Sequence, residues 1–246
     1  MKHIKKDEVY VINQPKHAIM SLVFIDPNSS NKYESNFMST NHENILKLAE
    51  NTDVMFIFKN INGINPDVFS KVYGACSWII SEKNLARTFI KAIAYSIIIF
   101  KKLSGFLTLD VSDNFGKINI DLLNEVAGSA VSWPIFEAKH LNSDEMFEIY
   151  KTENTSTSVW NWFKDSTPER EYTTWKMVSN VAFFRPSLFE KLDSLEDEYV
   201  DSFTWDHIRY FLASACEYLG IKRIDHDMFY LNVNRISDYV SSEGEE

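Results

Sequence analysis

The hydrophobic residues of this chain come in short runs with two different periodicities. Residues 8–13 and 18–26 are rich in β-branched and aromatic side chains and are followed by Pro15 and Pro27, a pattern typical of strands. A third apolar run of strand length covers residues 53–59. These segments predict that the N-terminal part of the chain forms a β-sheet.

Two helices are predicted after the third strand. Asn65 and Pro66 are residue types preferred at the N-cap and the first position of a helix, which we expect to run to about Ile80. Farther on, apolar residues recur every three or four positions, which predicts a helix over about 83–103 with Ser81 as its cap. The C-terminal half of this second helix is apolar nearly all round, so we expect it to lie in the centre of the fold.

The next segments determine the predicted fold class. Residues 105–111 and 117–121 alternate apolar with polar positions around a turn-rich link, which predicts a β-hairpin, and residues 130–138 are expected to pair with it. Neighbouring strands are then joined by hairpins rather than separated by helices. The predicted class is α+β, with a mixed, largely antiparallel sheet packed against the central apolar helix and further helices.

Length and composition predict one globular domain over residues 1–246. The chain is 45% hydrophobic and 24% charged, which is typical of soluble proteins. The polar stretch 151–158 is a candidate for a weak subdomain boundary, and residues 241–246 are expected to form a frayed acidic tail.

No uncharged apolar run approaches the length of about 20 residues that a membrane helix needs, and no signal peptide is recognised. We therefore expect a cytoplasmic protein without membrane contact.

Charge is divided unevenly along the chain. Residues 1–103 carry 13 Lys and Arg against 9 Asp and Glu, whereas residues 104–246 carry 12 against 26. The acidic excess disfavours direct binding to nucleic acid, because neutralising phosphates requires clustered Lys and Arg. It favours a basic protein as partner instead, since acidic side chains steer such a partner towards the surface.

The leading candidate site is a surface that combines acids with aromatic side chains, which can supply desolvated anchors at an interface. The residues assigned to partner binding are Trp160, Trp162, Glu196, Asp197, Glu198, Tyr199, Asp201 and Trp205. Since no catalytic motif specifies a reaction, the leading hypothesis is a non-enzymatic protein that docks on a basic partner. Its most concrete form is a bacterial immunity protein that inhibits a toxin.

One short motif supports an enzymatic alternative. Glu137 and Lys139 are two residues apart on a predicted strand and therefore face the same side. Such a pair can bind a metal ion and stabilise charge on a phosphate, with Asp110, Asp113 or Asp121 as a second carboxylate. This arrangement resembles the core motif of the PD-(D/E)xK nucleases, and the resemblance implies a metal-dependent phosphodiesterase as the alternative function.

Other chemistry has weaker support. Asp225, His226 and Asp227 are metal-ligand types, but adjacent residues on a strand face opposite sides, so no metal site is predicted. The chain contains neither G-x-x-x-x-G-K-[ST] nor G-x-G-x-x-G, and no cofactor is expected. Cys76 and Cys216 are expected to be reduced core residues. A structural subunit that forms a homo-oligomer is left open as a third possibility.

Overall fold

The fold is that of a computed structural model, which describes residues 9–25, 43, 45–59, 61, 63–81, 84–100, 102–110, 115–118, 131–134, 137–139, 174–176, 182–203, 208–221, 223–226 and 229–231. The strands are β1 Val9–Val11, β2 Ile19–Ile25, β3 Asp53–Phe58, β4 Ser77–Ile80, β5 Gly105–Asp110, β6 Phe115–Ile118, β7 Val131–Pro134, β8 Glu137–Lys139, β9 Thr174–Lys176, β10 Ala182–Phe184, β11 Arg223–His226 and β12 Phe229–Leu231. The helices are α1 (45–51), α2 Pro66–Val72, α3 Leu85–Ile99, α4 Leu188–Asp193, α5 Asp197–Asp201 and α6 Ile208–Tyr218.

Eight strands form one mixed sheet in the order β1-β4-β3-β2-β5-β10-β7-β11. Strands β4, β3, β2 and β5 are parallel to one another, and β1 adds an antiparallel edge strand beside β4. Strand β10 lies antiparallel between β5 and β7, and β11 is parallel to β7. Two small sheets pair β6 with β12 and β8 with β9. The mixed sheet agrees with the prediction, and its parallel core with connecting helices makes the fold α/β.

The predicted hairpin-based, largely antiparallel arrangement is wrong. Strand β5 pairs with β2 and β10, whereas β6 pairs with β12. The predicted continuation of the helix to Ile80 is also wrong, because the helix ends at Val72. Asn65 does cap α2 and Pro66 does start it, but Gly74 turns the chain with φ +69° after the helix has ended. The residues that follow form β4, so helices and strands alternate in this part of the chain.

Helices cover both faces of the sheet. Strand β2 is buried along its whole length, as expected of a strand inside a parallel sheet. On one face Leu22 and Phe24 belong to a core cluster that includes α3, and on the other Val23 and Ile25 belong to a cluster with α1 and α2. Helix α3 therefore lies on one face, and the sheet itself is the central layer. Its N-cap is Asn84 rather than the predicted Ser81.

The C-terminal helices share the α3 face of the sheet. Buried side chains from α4, α5, α6 and their links join the same core cluster; they include Leu188, Leu192, Val200, Phe203, Phe211 and Leu212. Among the described helices, none is long and apolar enough to cross a bilayer. The predicted boundary at 151–158 and the tail at 241–246 lie outside the described residues, and the single-domain and cytoplasmic assignments stay predictions.

Candidate ligand site at the carboxyl edge of the sheet

The order in which successive parallel strands join the sheet reverses between β2 and β5. From β2 the chain passes through α1 to β3 and through α2 to β4, adding strands on one side. Helix α3 then returns across the other face, and β5 joins the opposite side of β2. In open α/β sheets such a reversal opens a crevice at the carboxyl ends of the two strands, and ligands bind there. The crevice between β2 and β5 is therefore the candidate site.

Asp110 ends β5 at this crevice. It pairs in register with Phe24, one residue before β2 ends. The preceding residue, Leu109, is fully buried. Asp110 is thus the last residue of β5, at the carboxyl edge of the sheet.

His226 ends β11 at almost the same level of the sheet. The register leads from Phe106 of β5 through β10 and β7 to Arg223 of β11. Leu109 is three residues after Phe106, and His226 is three residues after Arg223, so His226 is level with Leu109. It is therefore one residue short of the level of Asp110. Three strand spacings separate β5 from β11, or about 14 Å between backbones. Asp110 and His226 therefore end strands on the two sides of one stretch of the carboxyl edge.

The sequence offered both residues but not their relation. The sequence predicts Asp110 as a possible second carboxylate for the phosphodiesterase, and it predicts no metal site at His226, because adjacent strand residues face opposite sides. Only the strand order brings the two to one edge. Within the described residues, no group of three or more His, Cys, Asp and Glu side chains is placed to hold a metal ion.

Polar contacts fix the link from β4 to α3 at the same edge. The backbone N–H of Ser81 donates to the carbonyl of Phe58 at 2.7 Å, which ties the end of β4 to the end of β3. The Thr88 hydroxyl, on the first turn of α3, donates to the Ser81 hydroxyl at 3.2 Å. The start of α3 is thereby held against the carboxyl ends of the strands.

Two acids predicted to bind a partner contact Arg87 of the same chain. The Arg87 guanidinium donates through Nε and Nη2 to one oxygen of Asp201, at 2.9 and 2.6 Å, and through Nη1 to Asp197 at 3.3 Å. The hydrogen bond to Asp201 is the largest cause of a raised pKa for Arg87. These acids therefore help to attach α5 to the first turn of α3, a role the sequence did not reveal because the residues are more than 100 positions apart.

The other residues assigned to partner binding lie in different surroundings. Glu196, which precedes α5, and Glu198, within α5, are both exposed. The Tyr199 ring lies 4.6 Å from the ring of Tyr218, and its hydroxyl is 2.9 Å from that of Ser214. Three tryptophans of the set lie outside the described residues: Trp160, Trp162 and Trp205. Binding of a basic protein by this set stays a prediction.

The residues of the phosphodiesterase alternative do not form a described cluster. Glu137 and Lys139 lie on β8 as expected, where they pair in register with Lys176 and Thr174 of β9. That two-stranded sheet is separate from the large sheet in which β5 ends at Asp110. Asp121 lies outside the described residues.

Comparison with known proteins gives structural similarity without sequence similarity. No protein-family model and no curated protein matches the chain. A structure described as a nucleotide-diphospho-sugar transferase from Desulfovibrio desulfuricans G20 is 7% identical over 86% of this chain and 80% of its own, with TM-score 0.40. The 4-diphosphocytidyl-2C-methyl-D-erythritol synthase of Anaerococcus prevotii is 11% identical over 92% and 99%, with TM-score 0.46. Mouse xyloside xylosyltransferase 1 is 12% identical over 84% and 85%, with TM-score 0.44.

These findings correct the predicted function. The named structures are described as transferases or a synthase, not as immunity proteins or PD-(D/E)xK nucleases. The immunity-protein and toxin-inhibitor interpretation is wrong, and so is its nuclease alternative. At these identities and TM-scores the similar structures assign no family to the chain, and the sheet order remains the guide to its function.

Proposed function

We propose that the protein is a transferase that binds a nucleotide-activated donor at the carboxyl edge of its parallel strands. The observation that carries this proposal is the reversal of strand order between β2 and β5, with helices on opposite faces of the sheet. Nucleotide ligands bind at such a switch point because helices and loops on the two sides diverge and leave a crevice.

The sequence around this crevice favours a mononucleotide donor over a dinucleotide cofactor. A dinucleotide fold repeats the parallel βαβ arrangement in a second half, whereas here β10 lies antiparallel beside β5. The turn after the first strand of a dinucleotide fold carries G-x-G-x-x-G, but residues 26–31, which follow β2, contain no glycine. One half of the sheet would then hold the donor, leaving the mixed half for the group that accepts the transfer.

A divalent cation suits the donor end of this site. Mg²⁺ is commonly bound by one or two carboxylates together with the phosphates of a substrate, and Asp110 is the carboxylate that ends β5 at the crevice. Residues 104–246 carry an excess of 14 acidic side chains, which would repel the phosphates of the donor. A cation that bridges the protein and the phosphates would offset this repulsion. When bound, the cation would neutralise the charge of the departing nucleotide.

Calorimetric titration with nucleoside diphosphates and nucleotide sugars, with and without Mn²⁺, tests the proposal. We expect saturable binding that requires the cation, and Asp110→Asn should weaken it by about tenfold or more. Asp193→Asn is the matched control, because Asp193 is an exposed acid on α4 outside the crevice. Absence of binding to every nucleotide in the presence of Mn²⁺ would contradict the proposed function. Equal affinity of the Asp110→Asn and Asp193→Asn variants would show that the site lies elsewhere.

A further inference from the structure

Asn84 joins two helix ends that are far apart in the sequence. Its side-chain oxygen accepts a hydrogen bond from the backbone N–H of Arg87 at 3.0 Å and caps α3. Its amide nitrogen donates to the carbonyls of Val200 and Phe203, at 2.9 and 3.0 Å. One half-buried side chain therefore caps the start of α3 and binds carbonyls at the end of α5.

This junction lies at the carboxyl edge. Strand β4 ends at Ile80, and α3 begins at Leu85. Helix α5 is held by the junction next to this edge, on the face of the sheet that α3 covers. Of the C-terminal helices, α5 thus lies at the edge on which the candidate crevice opens.

The contacts of α5 differ in how firmly they define its position. Val200 and Phe203 are buried in the core cluster, but apolar burial is non-directional and holds the segment without fixing its position along the edge. The ion pairs of Arg87 involve side chains of Asp197 and Asp201 that are more than half exposed, and such pairs contribute little. The two hydrogen bonds donated by the Asn84 amide are directional and partly buried, and they fix α5 against the start of α3. The hydrogen bond between the hydroxyls of Tyr199 and Ser214 holds α5 to α6 instead.

We propose that Asn84 is a positioning residue of the ligand site: through Val200 and Phe203 it holds α5 in place as one wall of the crevice. This inference rests on the proposed nucleotide binding. Asn84 itself touches no ligand in this proposal. It acts through α5, which should move away from the edge when the amide donors are lost.

Asn84→Asp separates the two roles of this side chain. Aspartate is as good an N-cap as asparagine, so α3 keeps its cap, but both donors to α5 are lost. The matched control is Asn65→Asp. Asn65 caps α2 on the other face through Asp67 and Val68, and its exposed amide makes no hydrogen bond among the described residues.

Two measurements on both variants decide the outcome. Calorimetry with UDP and Mn²⁺, or with the nucleotide that the wild type binds best, should give a Kd raised about tenfold in Asn84→Asp and unchanged within twofold in Asn65→Asp. Hydrogen exchange should become faster in the peptide covering 195–203 in Asn84→Asp alone, while the β2 and β3 peptides stay protected in both variants.

The results separate this inference from the proposed function. Faster exchange in 195–203 with unchanged nucleotide affinity would overturn the positioning role and leave nucleotide binding intact. Unchanged exchange would show that Asn84 does not fix α5, and would overturn the inference by itself. If the wild type binds no nucleotide, the proposed function fails, and the positioning role fails with it.

Discussion

At the residue scale, packing leaves no room for a side chain at Gly105, the first residue of β5. A Cβ placed there would lie 2.3 and 2.4 Å from two ring carbons of Phe183 on β10, which is fully buried. The ring cannot swing into solvent, so the strands or the ring would have to shift. Gly105 is therefore required for the close approach of β10 to β5.

Gly105→Ala should lower the free energy of unfolding by about 1–3 kcal/mol, the usual effect of overpacking a core. Urea denaturation measures the change. The control is the same substitution made in a Phe183→Leu background, where the smaller side chain reduces the clash. An equal loss in both backgrounds would show that the Phe183 ring is not the cause.

A second residue-scale prediction concerns Asp53, at the start of β3. Its two carboxylate oxygens accept hydrogen bonds from the backbone N–H groups of Lys16 and His17, at 2.8 to 2.9 Å, and the residue is buried. Asp53→Ala leaves these donors without their acceptor and should reduce stability by about 1–3 kcal/mol. Asp67→Asn, which removes an exposed ion pair with Lys71, should change stability by less than about 0.5 kcal/mol. Comparable losses in the two variants would contradict the assigned role of Asp53.

At the element scale, Phe89 links α3 to three other elements. Its ring lies 6.0 Å from that of Phe24 on β2, 5.9 Å from Phe184 on β10 and 6.2 Å from Phe211 on α6. Phe89→Ala removes a fully buried side chain from this position and should cost about 3–5 kcal/mol. Ile98→Ala, on the exposed side of the same helix, should cost less than about 1 kcal/mol. A loss below 2 kcal/mol in Phe89→Ala, measured by urea denaturation, would show that the site collapses around the missing ring.

The strands show where sequence patterns succeed and fail. Residues 19–25 and 53–58 were recognisable because a fully buried strand is a continuous apolar run. The pattern of β5 predicts half of a hairpin, because Thr108 interrupts its apolar residues. In the fold Thr108 is fully buried, and its hydroxyl is satisfied by the backbone N–H and carbonyl of Ala182 on β10. A polar residue whose partner is 74 positions away gives no local sign of burial.

The candidate site depended on information of the same kind. Asp110 and His226 are visible in the sequence as a carboxylate and an imidazole, but their common edge follows from the register through β10 and β7. Asn84 caps α3 in place of the predicted Ser81. Its contacts with Val200 and Phe203 join residues 116 and 119 positions apart, which no local periodicity encodes.

At the scale of the whole molecule, burial of ionisable groups makes the free energy of unfolding depend on pH in the alkaline range. Burial is the largest cause that raises the pKa of Cys76 from 9.0 to about 11, and it also raises the pKa of Cys216. Tyr73 and Tyr95 have their pKa raised by burial from 10.0. All four groups are neutral when protonated, so the fold favours their protonated forms.

The sign of the pH dependence follows from proton binding. Above about pH 9 the unfolded chain loses protons from its thiols while the native protein retains them, so the free energy of unfolding falls as pH rises. We expect full stability from these groups at pH 8 and a progressive loss between pH 9 and 11, measured by urea denaturation at fixed ionic strength. The Cys76→Ala/Cys216→Ala variant should show a smaller decline, with the remainder due to the tyrosines and the net charge. An identical decline with both thiols removed would mean that the tyrosines and the growing net negative charge, and not burial of the thiols, set the alkaline limit.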